Sequence, residues 1–143
     1  MSDEARIFGS LEVNTQKPDG VRMDLSVIED DDITHVVLDG RLDTAGARAV
    51  DARFQALAQT ARSLIVDLSK VSFIGSLGVR TLMVSAKALI RRGAHMAVCG
   101  ADEKVSKVLR STGFNEVAGL YPDFPSAAAA LRERRAEFEN RKT

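Results

Sequence analysis

Two short apolar runs set the strongest limit on what this chain can fold into. Ser63–Leu68 (SLIVDL) and His95–Cys99 (HMAVC) are nearly continuous in apolar residues, without regular polar alternation. A strand of that kind is buried on both faces, so it belongs inside a sheet covered by helices. Between the two runs, Val79, Leu82, Met83, Ala86, Leu89 and Ile90 recur at helical period. That helix is expected from Ser76 to about Arg92, with its core-facing residues on this arc, and Gly93 ends it. Strand, helix and strand in this order argue for an α/β layered fold.

The flanking segments fit the same architecture. Leu25–Glu29 and Ile33–Asp39 are short β runs separated by Asp30-Asp31-Asp32, which suits a hairpin. Asp43-Thr44 supplies capping side chains before Val50, Phe54, Leu57 and Ala61, spaced as on a helix. Ser69–Gly75 reads as a loop. Asp102 caps a helix bearing Val105, Val108 and Leu109, and Gly113 terminates it. Glu116–Leu120 is expected as an edge strand, and Pro122–Ser126 opens a last helix through Leu131. The expected order is ββαβαβα(β)α, a single layered domain with a mixed β-sheet and about four α-helices. Residues 1–22 stand apart, because Asn14–Gly20 (NTQKPDG) is a string of loop formers and Ile7–Val13 alone has strand character. The division is therefore an N-terminal extension (1–22), a domain (23–131) and a charged C-terminal tail (132–143).

At 143 residues the chain has the length of one domain, and 45% hydrophobic with 28% charged residues is a globular composition. The longest apolar run is five residues, Ala127 to Leu131, far short of the roughly 20 a membrane span needs. No basic-then-apolar leader opens the sequence, so a cytoplasmic protein without membrane insertion is expected. One cysteine, Cys99, excludes an internal disulfide and a four-thiolate metal site, and His35 and His95 offer no zinc-ligand spacing. No cofactor or metal is expected. Twenty basic and twenty acidic residues cancel, so no strong field is expected to recruit nucleic acid directly. Locally the charge is split. Asp24–Asp43 holds seven acids and one base, whereas Ser76–Gly100 holds four bases and no acid. Such a split describes either two solvated surfaces or the polarity of a partner interface.

Chemistry is most concentrated in Ile65–Leu82 (IVDLSKVSFIGSLGVRTL), where a buried strand runs into a loop and Gly75-Ser76-Leu77-Gly78 opens the next helix. Free N–H groups and the helix dipole make that position favourable for an anion. Two readings of Ser76 follow, as the helix cap or as a carrier of phosphate. At 100° per residue, Ser76, Arg80, Lys87 and Arg91 fall within an arc of about 60° on the solvent side. A phosphate on Ser76 would meet Arg80 one turn later. Leu77, Val84 and Ala88 flank the basic stripe as a candidate apolar patch for a partner. Enzyme signatures fail: position 74 is Ile where a nucleophile elbow needs Gly, and no general base, Walker loop or dinucleotide fingerprint occurs. His35, His95 and Cys99 read as core or strand residues.

Taken in order, these pieces resemble the STAS domain of anti-sigma factor antagonists (anti-anti-sigma factors). The resemblance runs from residue 24 to about 131. It is carried by Val37-Leu38-Asp39-Gly40-Arg41-Leu42-Asp43, Asp67-Leu68-Ser69-Lys70-Val71-Ser72-Phe73-Ile74, Ser76-Leu77-Gly78-Val79, and Val98-Cys99. Val105-Ser106-Lys107-Val108-Leu109 and Ser111-Thr112-Gly113-Phe114 complete it. In that family a serine at the start of the second helix is phosphorylated by an anti-sigma factor that is also a serine kinase. The unphosphorylated form binds that factor and frees a sigma factor, and a serine phosphatase resets the switch. The resemblance implies that Ser76 is the phosphoacceptor and that Asp43, Gly75, Ser76, Leu77 and Arg80 form the partner surface. The family usually carries aspartate immediately before the phosphoacceptor, and this chain has Gly75 there.

Two other classes remain. Similar domains serve lipid-transport systems and anion transporters, so an accessory subunit bound to a transporter ATPase is the alternative. A small hydrolase using Ser76 is the weakest, for want of a base. The sequence sets neither the oligomeric state nor the particular sigma factor.

Overall fold

A β-hairpin begins the part of the chain that the structure, a computed structural model, describes: residues 23–142, with side chains as far as residue 137. The expected N-terminal extension, residues 1–22, lies outside the described residues. Strand β1 (Met23–Asp30) pairs antiparallel with β2 (Ile33–Leu42), from Met23 opposite Gly40 to Asp30 opposite Ile33. Asp31 makes the turn with φ of 63°, a left-handed conformation that Asp and Asn tolerate better than most residues.

From β2 onward helices and strands alternate. Helix α1 (Thr44–Thr60) leads to β3 (Ser63–Ile74), α2 (Ser76–Arg91) to β4 (His95–Cys99), and α3 (Glu103–Ser111) to β5 (Gly119–Tyr121). A short 3-10 turn, Phe114–Glu116, precedes β5, and α4 (Phe124–Lys142) follows it. The sheet order is β1-β2-β3-β4-β5, with parallel pairing from β2 to β5. The α/β class, the mixed sheet and, among the described residues, the four α-helices are therefore as the sequence implies.

Strand order explains which face each helix covers. Three successive crossovers step in one direction across the sheet, and right-handed connections that never reverse direction all return over the same face. Accordingly Phe54 of α1, Leu82 and Leu89 of α2 and Leu109 of α3 share one core with Leu25, Leu38, Leu64 and Leu68. Helix α4 comes after the last strand, is free of that rule, and covers the opposite face. There Ala127, Ala128 and Leu131 pack on Ile33, Ile65, Ala97 and Cys99. Both apolar runs that anchor the sequence reading thus have helices on both sides.

Three expectations differ in detail. Ser69–Ile74 is not a loop but the second half of β3. It is hidden from the sequence because β4 ends at Cys99, opposite Asp67, so β3 beyond that point pairs with β2 alone and carries the exposed residues Ser69, Lys70 and Ser72. The last strand starts later than expected. Gly113, with φ of 81°, turns the chain so that buried Phe114 can anchor the 3-10 turn, and pairing begins only at Gly119. Ile90 is exposed rather than in the core, since it lies at the border of the buried arc of α2 near the helix end. For the charged stretch 132–143, whose composition permits either a continued helix or a frayed end, α4 runs on as far as Lys142, and Arg135 within it pairs with Asp32 in the β1–β2 turn (Nη1–Oδ2 3.5 Å).

Candidate functional site

The C-terminal ends of β2 and β3 bring the candidate residues together, at the edge where parallel sheets present their ligand-binding loops. Asp43 follows the last residue of β2 and caps α1: its Oδ1 accepts from the Gly46 N–H at 2.9 Å. Its second oxygen lies 3.5 Å from Arg41 Nε in an exposed pair worth little on its own. An Asp43→Ala variant should therefore lose about 1 kcal/mol, the usual value of an N-cap, in urea denaturation with an unchanged m-value.

Gly75 and Ser76 start α2. The capping position is Gly75, and no side chain makes a capping bond there. Ser76 is the first helical residue and is exposed, so the cap reading of this serine is excluded by geometry. The helix N-terminus therefore has unsatisfied N–H groups and no acidic residue in its first turn, which leaves its positive end uncompensated.

Close backbone approach fixes the two loops against each other. Gly75 N donates to the Leu42 carbonyl at 2.9 Å. One turn into α2, a Cβ on Gly78 would stand 2.8 Å from that same oxygen and 2.9 Å from Leu42 Cβ. Glycine at 78 is thus what lets the first turn of α2 rest on the last residue of β2, next to Asp43.

Beyond Ser76 the wheel reading holds. Arg80, Lys87 and Arg91 are exposed along α2, while Gly78, Val79, Leu82, Ala86 and Leu89 are buried. Of the flanking apolar residues, Val84 is exposed and Leu77 and Ala88 are half-buried. Leu77 and Arg80 line an open cavity of about 280 Å³ between α1 and α2, with Ala47, Arg48, Asp51 and Thr81 on the other walls. Thr81 Oγ1 donates to Asp51 Oδ1 at 3.0 Å across its base and joins the helices.

Three residues of this surface escape a sequence reading. Phe73 is 40% exposed, and the Arg41 guanidinium lies 4.5 Å above its ring centroid. The two are cross-strand partners in the β2–β3 register, which is invisible while residues 69–75 are taken for a loop. Arg48 faces the α1–α2 cavity from the turn after Asp43. The signal that could have found the first pair is the aromatic at 73, an unusual residue for a solvated loop.

Both histidines lie away from this edge. His35 is on the α4 face with its ring stacked on Phe124, 4.3 Å between centroids. His95 starts β4 at the far end of the sheet, where burial first and Arg134 second lower its pKa. Cys99 is buried, its thiol pushed up to about 12 by burial and by the charges of Asp67 and Asp123.

Comparison with known proteins agrees with this architecture. The family model described as STAS domain matches residues 24–130. BtrV of Bordetella bronchiseptica, named as an anti-sigma factor antagonist, is 25% identical over 111 residues, 77% of this chain and 96% of its own length. The crystal structure of an anti-sigma factor antagonist from Mycobacterium paratuberculosis superposes with a TM-score of 0.71 at 26% identity, covering 78% of this chain and 95% of that one. The STAS domain of a SulP transporter from Vibrio cholerae gives 0.56 at 29% identity, over 73% of this chain and 83% of that one. With the matched region spanning every element from the first hairpin into α4, the chain belongs to the STAS-domain family.

Proposed function

We propose that the chain is an anti-sigma factor antagonist that works by partner switching under control of phosphorylation at Ser76. Unphosphorylated, it binds an anti-sigma factor of the serine-kinase type in the cytoplasm and so frees a sigma factor. Phosphate on Ser76 closes the switch, and a serine phosphatase reopens it. The observation that carries this reading is the state of Ser76: exposed, at the first position of α2, uncommitted to capping, and beside a basic stripe led by Arg80.

The physics of the switch needs no change of fold. A phosphate of about −1.5 to −2 charge on Ser76 would be attracted by the helix N-terminus and Arg80, yet it would have to be desolvated when a partner docked. Asp43, across the Leu42–Gly75 contact, adds like-charge repulsion to that cost. Gly75, in place of the aspartate that the family resemblance leads one to expect, leaves one carboxylate fewer in the immediate neighbourhood of Ser76.

Titration of the anti-sigma factor with wild type, Ser76→Ala and Ser76→Asp tests the proposal. Ser76→Asp should weaken binding at least tenfold, about 1.4 kcal/mol, while Ser76→Ala should bind like wild type. Equal affinity for all three would remove Ser76 from the interface. The likeness to the transporter domain supports a second reading, an accessory subunit of a lipid or anion transport system. On that reading wild-type and Ser76→Asp baits both retain a transporter ATPase and no kinase-like factor.

A further inference from the structure

The face of the sheet opposite the Ser76 surface carries a second cluster of chemistry-bearing side chains. His35 of β2, Asp67 of β3 and Cys99 of β4 come from three neighbouring strands. They project from the same face because Asp67 pairs with Cys99 in the register, and His35 pairs with Ile65, two residues before Asp67. One donor atom from each lies within 4.8 Å of the other two. With one residue per strand and a helix between strands, no local spacing motif could announce the group.

The surroundings hold these atoms in place. His35 Nε2 stands 3.2 Å from Asp67 Oδ2, a distance suited to two ligands on one tetrahedral edge. The other carboxylate oxygen is tied down by Ser69, whose N–H donates at 3.0 Å and hydroxyl at 2.7 Å. Phe124 stacks on the imidazole and restricts its plane. Gly100 keeps the carboxylate clear, since a Cβ there would stand 3.2 Å from Asp67 Oδ1 and 3.0 Å from Ser69 Cβ. His35 and Asp67 are 15% and 19% exposed, so an ion could reach them from solvent, while Cys99 closes the inner side.

We infer that His35, Asp67 and Cys99 form a binding site for a borderline-soft divalent transition cation, with zinc the best match to this donor set. One imidazole nitrogen, one carboxylate and one thiolate are a mixed N/O/S set that zinc accepts and that magnesium and calcium, with their preference for oxygen, do not. Carboxylate and thiolate together neutralise a divalent cation, so the occupied site carries no net charge beneath α4. Coordination through His35 Nε2 uses the neutral tautomer protonated at Nδ1, so the proton shared in the His35–Asp67 hydrogen bond moves to Nδ1 by exchange with water. Two metal bonds replace that hydrogen bond, and the proton leaving the Cys99 thiol passes to solvent. Three protein ligands leave a fourth position for water. Ser69 is a positioning residue that acts through Asp67.

Cobalt(II) is the probe, because a cobalt–thiolate bond gives an intense charge-transfer absorbance that nitrogen or oxygen ligands alone do not. Titration of the full chain should produce this band at one equivalent, and an equimolar addition of zinc should abolish it. Cys99→Ala and His35→Gln should each eliminate the band. Ser69→Ala, an exposed change that leaves the ligands intact, should retain the band with roughly tenfold weaker affinity. Absence of the band in folded wild-type protein would overturn the inference, and so would a band that survives His35→Gln. Circular dichroism of each variant, with Ser69→Ala as the mildest, separates loss of ligand from loss of fold.

Discussion

Gly46→Ala should destabilise the domain by about 3 kcal/mol, at the upper end of what overpacking costs. Gly46 sits in the first turn of α1 and is buried, and a Cβ there would fall inside the van der Waals surface of the Arg41 carbonyl oxygen. A flexible side chain could swing away from such a methyl group, but a backbone carbonyl in a paired strand moves only with the strand. Alanine improves helix propensity by about 1 kcal/mol, which is too little to offset the clash. Gly113→Ala is the informative comparison. Its φ of 81° brings strain, yet nothing lies within 4 Å of the added methyl, so its cost should stay at the roughly 1–2 kcal/mol of a left-handed residue. Thermal denaturation of the two variants should therefore rank Gly46→Ala well below Gly113→Ala. Equal midpoints would mean that the α1 turn yields easily to the added methyl.

Phe54→Ala should have the largest effect of any single truncation, about 3–5 kcal/mol. Phe54 is fully buried in the middle of α1, in the core shared by the three crossover helices. Removing its ring loses transfer energy and leaves a void between α1 and the sheet that helices fixed by their crossovers cannot close. Against a total stability of roughly 5–15 kcal/mol, the loss is a large share. The urea midpoint should fall steeply with the slope unchanged; a loss below about 1 kcal/mol would mean that the helix layer repacks freely.

What was legible in the sequence follows from how each element is buried. Strand β4 was readable to the residue, because a strand covered on both faces must be apolar throughout. Caps were equally clear: Asp43 and Asp102 both accept the expected backbone N–H, from Gly46 and Val105. The second half of β3 was illegible, since a strand paired on one side carries polar residues with no period to reveal it. Ser85 escaped for the opposite reason. Its polar side chain reads as solvated, yet it is 1% exposed with its hydroxyl unpaired, where α2 packs against the body of the domain. At the candidate site, Asp43, Gly75, Ser76, Leu77 and Arg80 could be named because they flank strand ends and helix starts. Phe73 and Arg41 could not, because their meeting depends on strand register. For the same reason His35, Asp67 and Cys99 looked like three unrelated core or strand residues.

Strand order identical to chain order has a consequence for how the protein is made. Each strand after the first pairs with the strand synthesised just before it, so its template has already left the ribosome when it emerges. No pairing waits for a distant segment, and each new βα unit closes a loop about one helix long. Helix α4, made after all five strands of the sheet, then seals the second face over Ile33, Ile65, Ala97 and Cys99, so its docking is the step that removes this apolar surface from chaperones and from other nascent chains.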